Sequence, residues 1–279
     1  MTTAGPLWLF ASALLHAGWN ALLKREREPQ LAALGVLAAA VAFSAPLALV
    51  LPGGGIPTRA ALLWAVGAGL FEAVYFVTLG AALARATYGA VYAIARGGAL
   101  VVVWPVAVTL LREPLTARSA AGAALVAAGV VLVAVAGHER ASRGGLALAG
   151  ACAASIAGYH VCYDLALAEG AGTAPLFALA FAIALPPVWA WARLTGRTSA
   201  DVDRRATVRW SVAGALATVS FLLFLVGLAR SGAGVALTLR NTSVVFAQLL
   251  ALGMGERVPR RQLLGSLLVV LGAALVAAG

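Results

Sequence analysis

The chain has 279 residues, of which 62% are hydrophobic and 11% are charged, and its mean hydropathy is +0.96. Soluble domains carry about 25% charged residues, so this chain has too few polar side chains to cover a soluble surface. The composition excludes an ordinary soluble enzyme, a disordered chain and a secreted disulfide-rich scaffold. It indicates a protein that crosses the membrane several times.

The formal charge of +10 comes from 20 Lys and Arg residues against 10 Asp and Glu residues. Most of the basic residues lie between the apolar stretches, where they determine topology and contact anionic lipid headgroups. We therefore expect membrane lipids as partners and no nucleic acid.

Ten apolar stretches are long enough to cross the hydrocarbon core, which takes roughly 20 residues. They are too uniformly apolar for barrel strands, which alternate with a period of two, so each is predicted to be a helix. The predicted spans are about 6–23, 31–51, 60–84, 88–111, 118–137, 144–168, 174–192, 207–229, 233–254 and 261–278. Prolines inside these spans predict kinks, which serve either packing or hinge motion.

An internal repeat relates the two halves of the chain. Glu113 and Glu256 are 143 positions apart, and Arg96 and Arg240 are 144 apart. The offset of 143 also relates the glycines of two Ala/Leu/Val-rich stretches, Gly122 to Gly265 and Gly129 to Gly272. Each half holds five predicted spans, so the halves take opposite orientations. The sequence predicts an all-α membrane protein of ten transmembrane helices, arranged as two inverted five-helix repeats (5+5) over residues 1–137 and 144–279.

These motifs resemble the EamA family of the drug/metabolite transporter superfamily over essentially the whole chain. The resemblance rests on the Gly255-Glu256-Arg257 loop before a Gly-rich last helix, on the matching Arg112-Glu113-Pro114 loop, and on His16-Ala-Gly-Trp19-Asn20 in the first helix. It implies a secondary transporter of the inner (plasma) membrane, with no enzymatic step and no cofactor. The implied activity is alternating-access transport of small metabolites such as amino acids, in the export direction, through a central cavity. The sequence also contains no HExxH, GxSxG, Walker or dinucleotide-binding motif.

The orientation is predicted from the positive charges of the loops. We call the side that holds the N-terminus side A and the opposite side side B. The loops and flanks of side B carry fourteen Lys and Arg residues, against four on side A. The positive-inside rule then makes side B cytoplasmic and both termini external, whereas the family resemblance implies the reverse.

Polar and aromatic residues inside the spans are the candidates for substrate binding, because charges within a bilayer usually face the bundle interior. At a rise of 1.5 Å per residue, Glu72 lies roughly 18 Å, Arg96 roughly 22 Å and His16 roughly 15 Å from side A. The candidate substrate-binding residues are His16, Trp19, Asn20, Glu72, Tyr75, Tyr92, Arg96, Arg240 and Asn241. No metal site is expected.

Each charged candidate also has a structural interpretation. Glu72 either forms a buried ion pair with Arg96 or Arg240, or binds a substrate amine or a proton. The two arginines either grip an anionic group from the two halves or serve packing, Arg240 by snorkelling to the interface. His16 either hydrogen-bonds a neighbouring helix or relays protons.

An acid and a base near one level favour a small zwitterion, most simply an amino acid. A carrier of organic anions or phosphorylated metabolites is the alternative if one arginine neutralises Glu72 and leaves the other free. A non-transporting membrane scaffold whose charges are all structural pairs is the alternative from another class. The glycine stripes of the fifth and tenth spans either pack within the chain or form a homodimer interface.

Overall fold

The computed structural model describes residues 4–51, 53–112, 116–137, 142–196 and 202–277. Glu113 and Pro114 of the first loop motif lie outside these residues. Within them the ordered secondary structure is entirely α-helical. The helices are α1 (Ala4–Lys24), α2 (Pro29–Val50), α3 (Arg59–Leu83), α4 (Tyr88–Thr109), α5 (Ala117–Gly137), α6 (Arg143–Ala168), α7 (Thr173–Leu194), α8 (Arg204–Ser231), α9 (Ala233–Arg240), α10 (Ser243–Gly253) and α11 (Arg260–Ala277).

Polar residues at the ends of the apolar stretches determine where several helices begin. The hydroxyl groups of Thr58 and Ser142 accept hydrogen bonds from the backbone at the starts of α3 and α6, and the Asp203 carboxylate does the same for α8. Such caps satisfy backbone N–H groups that have no partner within the helix. Pro46 and Pro105 lie inside α2 and α4, as the sequence predicts.

By length and composition alone, seven stretches of the described residues could each cross a membrane. They are α2, α3, α4, α6, α7, α8 and the combined range of α9 and α10, and α5 contributes a shorter apolar stretch. The prediction of an all-α protein that crosses the membrane several times is therefore confirmed. The stretch predicted as one continuous span over 233–254 is instead broken at Asn241 and Thr242, where the backbone forms a turn between α9 and α10.

The helices of the two halves pack in corresponding pairs. The contact of α3 with α6 has a counterpart in that of α8 with α1, and the contact of α3 with α7 has one in that of α8 with α2. In the second pair, α3 with α7 and α8 with α2, one glycine in each contact allows the two helices to approach closely. A Cβ atom on Gly69 of α3 would lie 2.7 Å from the Ala180 carbonyl oxygen, and one on Gly214 of α8 would lie 2.9 Å from the Val36 carbonyl oxygen. Gly214 follows Gly69 by 145 positions and Ala180 follows Val36 by 144, so the two close approaches are equivalent.

The predicted glycine stripes face each other within the chain, on α5 and α11. A Cβ atom on Gly122 would lie 2.7 Å from the Gly272 carbonyl oxygen, and one on Gly265 would lie 2.5 Å from the Gly129 carbonyl oxygen. The paired numbers rise along one helix and fall along the other, so α5 and α11 cross antiparallel. Small residues allow such close backbone contact between membrane helices. These stripes therefore pack against each other within the chain, which is the first of the two roles predicted for them.

Candidate functional site

The interior of the bundle contains a polar and aromatic cluster built by α1, α3, α4, α6, α8 and α9. All nine residues predicted to bind substrate are buried in the structure, the most exposed being Tyr92 at 3%. Ring contacts link the candidates on three helices. His16 lies 6.1 Å from Tyr92 and Trp19 lies 6.5 Å from Tyr75, measured between ring centroids.

Arg240 ends α9 at the helix break and is held by α1 and α8. Its terminal nitrogen Nη2 lies 2.9 Å from His16 Nδ1, and its guanidinium carbon lies 4.6 Å from the Phe221 ring and 4.0 Å from the Phe224 ring. Cation–π contacts of this kind stabilise a desolvated guanidinium. Arg240 is completely buried, so the snorkelling interpretation is wrong for this residue. It lies at a break in the helix and among aromatic rings, which hold it inside the bundle.

The contacts of His16 define its protonation state. Trp19 Nε1 lies 3.3 Å from the same Nδ1 atom that accepts from Arg240. Indole and guanidinium nitrogens only donate hydrogen bonds, so His16 Nδ1 carries a lone pair and the ring proton is on Nε2. Asn20 donates to the His16 carbonyl oxygen at 2.8 Å, which holds its side chain along α1. His16 is thus a neutral acceptor that ties α1 to α9.

Arg96 lies on α4 and is the less restrained of the two arginines. Its guanidinium carbon is 5.8 Å from the centre of the Tyr92 ring. Its two terminal nitrogens, Nη1 and Nη2, are buried and make no hydrogen bond of 3.5 Å or less among the described residues, although the guanidinium also interacts with the Tyr92 hydroxyl. A guanidinium presents these nitrogens as a planar fork that matches a carboxylate.

Glu72 on α3 is completely buried and receives one hydrogen bond, from the Tyr163 hydroxyl to Oε1 at 3.2 Å. Its second oxygen, Oε2, has no partner among the described residues. Within the same residues, no ion pair of 4.0 Å or less joins Glu72 to Arg96 or Arg240, although both arginines interact with it electrostatically. The structural ion pair considered from the sequence is therefore not formed in this conformation.

Helices α6 and α8 contribute side chains that the sequence analysis did not select. Tyr159 stacks on His160 with 4.6 Å between ring centroids and also contacts Tyr75 at 5.7 Å. The His160 ring donates from Nδ1 to the Ile156 carbonyl oxygen at 2.6 Å. The repeat contained a signal for this helix, because Gly158-Tyr159-His160 follows Gly18-Trp19-Asn20 by 140 positions. Phe221 and Phe224 had no such signal, because phenylalanine in an apolar span is ordinary.

The cluster is closed in this structure. Two cavities of about 400 Å³ lie elsewhere, one lined by α2 and α8 around Phe43 and Ser211, the other lined by α4 and α5 around Trp104 and Ala123. Neither is lined by any of the nine candidate residues, and these residues are themselves at most 3% exposed, so no open cavity borders them in this conformation. The site therefore contains a buried carboxylate oxygen of Glu72 and the buried guanidinium of Arg96, both able to form further hydrogen bonds. Aromatic rings surround these two groups.

The described residues contain no group of three or more His, Cys, Asp and Glu side chains that could hold a metal ion.

Comparison with known proteins gives one family match, in the second half of the chain. Residues 143–278 match the EamA-like transporter family. No curated protein matches the sequence of the chain. One solved crystal structure of a protein aligns with 99% of this chain and 96% of that one, with a TM-score of 0.75 and 20% sequence identity, a likeness that shows the fold alone. The second half of the chain, residues 143–278, therefore carries an EamA-like transporter domain, and the multi-pass helical fold agrees with a membrane transporter of this type.

Proposed function

We propose that this protein is a secondary transporter of zwitterionic amino acids, working by alternating access in the inner (plasma) membrane. The proposed architecture is ten spans in two inverted five-helix repeats, residues 1–137 and 144–279, with α9 and α10 forming one interrupted span. The equivalent close approaches at Gly69 and Gly214 support this arrangement. Inverted repeats place their substrate site at the interface between them, which is where the buried cluster lies.

One observation carries the choice of substrate. Glu72 Oε2 and the Nη1 and Nη2 atoms of Arg96 are buried and make no hydrogen bond of 3.5 Å or less among the described residues. Buried polar atoms are normally paired, because leaving one unsatisfied costs about 1–3 kcal/mol, and more for a charged group. An α-amino acid supplies the missing partners, with its ammonium group on Glu72 and its carboxylate on Arg96.

Arg240, the second buried arginine, is compatible with a zwitterionic substrate. Arg240 is held by His16 and by the faces of Phe221 and Phe224, so it serves as part of the frame of the site. One acid and one base then remain for the ligand, which is the pattern of a zwitterion. The surrounding rings of Trp19 and Tyr75 provide a surface for an apolar part of the substrate.

A carrier of organic anions or phosphorylated metabolites is the second candidate. The observation in its favour is the excess of cationic charge, because the described residues include two buried arginines and one buried glutamate. In that case Glu72 is neutralised by one arginine and the other binds the anion.

The closed cluster fits an occluded conformation, in which the site is sealed from both sides between two open states. Export is the direction that the family resemblance implies. Transport in either direction uses the same residues, because the substrate must release the same contacts on either side.

The test is exchange of radiolabelled amino acids by the full chain in proteoliposomes, with Glu72→Gln and Arg96→Lys as variants. We expect Glu72→Gln to abolish exchange while the protein stays folded in detergent. Arg96→Lys is expected to weaken exchange strongly, because lysine keeps the charge but loses the planar fork. Glu28→Gln is the matched control, because Glu28 is exposed and its side chain caps no helix.

The alternatives give different results in the same assay. An anion carrier exchanges a deaminated acid as well as the amino acid, and Glu72→Gln leaves that exchange intact. A non-transporting scaffold shows no exchange of any of these compounds by the unmodified protein, and Glu72→Gln changes only its melting temperature.

A further inference from the structure

A row of buried polar side chains leaves the cluster along the contact between α4 and α10. Tyr92 on α4 and Ser243 and Gln248 on α10 are buried, and their side-chain polar atoms make no hydrogen bond of 3.5 Å or less among the described residues, although Tyr92 still interacts with Ser243. Gly89 lies one turn before Tyr92, and a Cβ atom placed on it would lie 3.1 Å from Gln248 Oε1. The helices α4 and α10 are in contact along this row, which we call the polar seam.

The equivalent contact toward side A, between α4 and α9, has a different chemistry. The residue 144 positions before Gln248 is Trp104, whose Nε1 atom donates to Thr238 Oγ1 at 3.3 Å. The residue 144 positions before Ser243 is Ala99, which is apolar and completely buried. The side A contact is therefore satisfied and largely apolar, whereas the polar seam keeps several unpaired groups.

At side B the polar seam ends at a contact made by Glu256, from the Gly255-Glu256-Arg257 loop. Glu256 accepts hydrogen bonds from the backbone N–H of Tyr88 at 3.0 Å and of Gly89 at 3.4 Å, at the first turn of α4. The ordinary capping residue, Thr87, makes no side-chain cap there, so a glutamate from the other half of the chain takes its place. Lys24 of α1 donates to the Leu83 carbonyl oxygen beside this contact and interacts electrostatically with Glu256.

We infer that the polar seam is the route between the buried site and side B, and that Glu256 is the latch that closes it. Weakly paired buried polar groups cost free energy, so a row of them favours a second conformation of the protein in which they are satisfied. When α10 separates from α4, the side chains of Tyr92, Ser243 and Gln248 line a polar path along which a zwitterion can move. The separation requires Glu256 to release the start of α4. This inference rests on the proposed transport function, because it assigns the side B route of the same site.

The experiment measures how fast single cysteines react with a small, charged, membrane-impermeant thiosulfonate reagent. The background replaces the two native cysteines, Cys152→Ala and Cys162→Ala. Ser243→Cys probes the polar seam, and Ala99→Cys is the matched control at the equivalent position of the other half. The protein is reconstituted in vesicles, and Arg27→Cys, exposed in the loop after α1, reports which vesicles present side B.

We expect Ser243→Cys to react from side B and Ala99→Cys to stay unreactive from that side. Adding Glu256→Gln weakens the charge-assisted bonds to α4 and is expected to raise the rate at Ser243→Cys by roughly 10-fold. If Glu256→Gln does not fold, Lys24→Met loosens the same end of the seam and is used instead. The inference is overturned if Ser243→Cys reacts no faster than Ala99→Cys, if it reacts only from side A, or if loosening the latch leaves its rate unchanged. The labelling needs no substrate, so its outcome is separate from that of the exchange assay.

Discussion

The antiparallel crossing of α5 and α11 provides a quantitative test of the fold. A Cβ atom on Gly129 would lie 2.9 Å from the Val269 backbone nitrogen and closer still to the Gly265 carbonyl oxygen. Contacts between non-bonded carbon atoms are optimal at about 3.5–4.0 Å, and backbone atoms within a helix cannot rotate away as a flexible side chain can. Gly129→Ala therefore forces the two helices apart. We expect a cost of about 1–3 kcal/mol, the usual range for an overpacked interior.

Thermal unfolding in detergent, followed by fluorescence, measures this cost. The matched control is Gly150→Ala on α6, because Gly150 is exposed and a Cβ atom there meets nothing within 4 Å. That variant is expected to melt at the temperature of the unmodified protein or slightly above it, since alanine favours a helix over glycine by about 1 kcal/mol. Gly129→Ala combined with Gly265→Ala is expected to cost less than the sum of the two single variants, because both disturb one close approach.

A melting temperature of Gly129→Ala equal to that of Gly150→Ala would refute the close crossing. A lower oligomeric state in Gly129→Ala, with no loss of monomer stability, would instead assign the glycine stripe to a contact between chains. Size-exclusion chromatography of the same samples separates these outcomes.

Two further predictions concern the site and the topology. His16→Asn keeps an acceptor near the position of Nδ1, so this variant should melt close to the unmodified protein. His16→Leu leaves Arg240 without this partner and should lower the free energy of unfolding by about 1–3 kcal/mol. Equal melting temperatures for the two variants would contradict the bond between His16 and Arg240. A reporter fused to the C-terminus should read as external, because the fourteen basic residues of side B are predicted to be cytoplasmic. A cytoplasmic signal would show that the charge bias does not determine the orientation and would support the one implied by the family.

The sequence by itself determined that this is a membrane protein and which charged residues lie in its interior. The chain has too few charged residues to cover a soluble surface, so it requires a membrane environment. In a membrane every backbone polar group must be paired, which for these apolar stretches means helices. A charge inside a span must face the bundle interior. This cost selects Glu72, Arg96 and Arg240 from the sequence alone, and the structure buries all three.

The tertiary structure decided which of these groups meet. The repeat offset of 144 predicts that Arg96 and Arg240 are equivalent. In the structure Arg240 is held by His16 and two phenylalanine rings, whereas the Arg96 fork makes no hydrogen bond of 3.5 Å or less among the described residues. Partners contributed by distant helices leave no trace in local sequence periodicity, because each helix packs against neighbours that are far away along the chain.

The break between α9 and α10 was equally invisible in the sequence. The stretch 233–254 contains no proline, and its composition resembles that of a continuous span. The turn at Asn241 and Thr242 is stable because the surrounding helices bury it and the Asn241 side chain donates to the Leu237 carbonyl oxygen at 3.0 Å. Hydropathy records only whether a stretch is apolar enough to lie in the membrane. The packing of the neighbouring helices determines whether the stretch remains one helix.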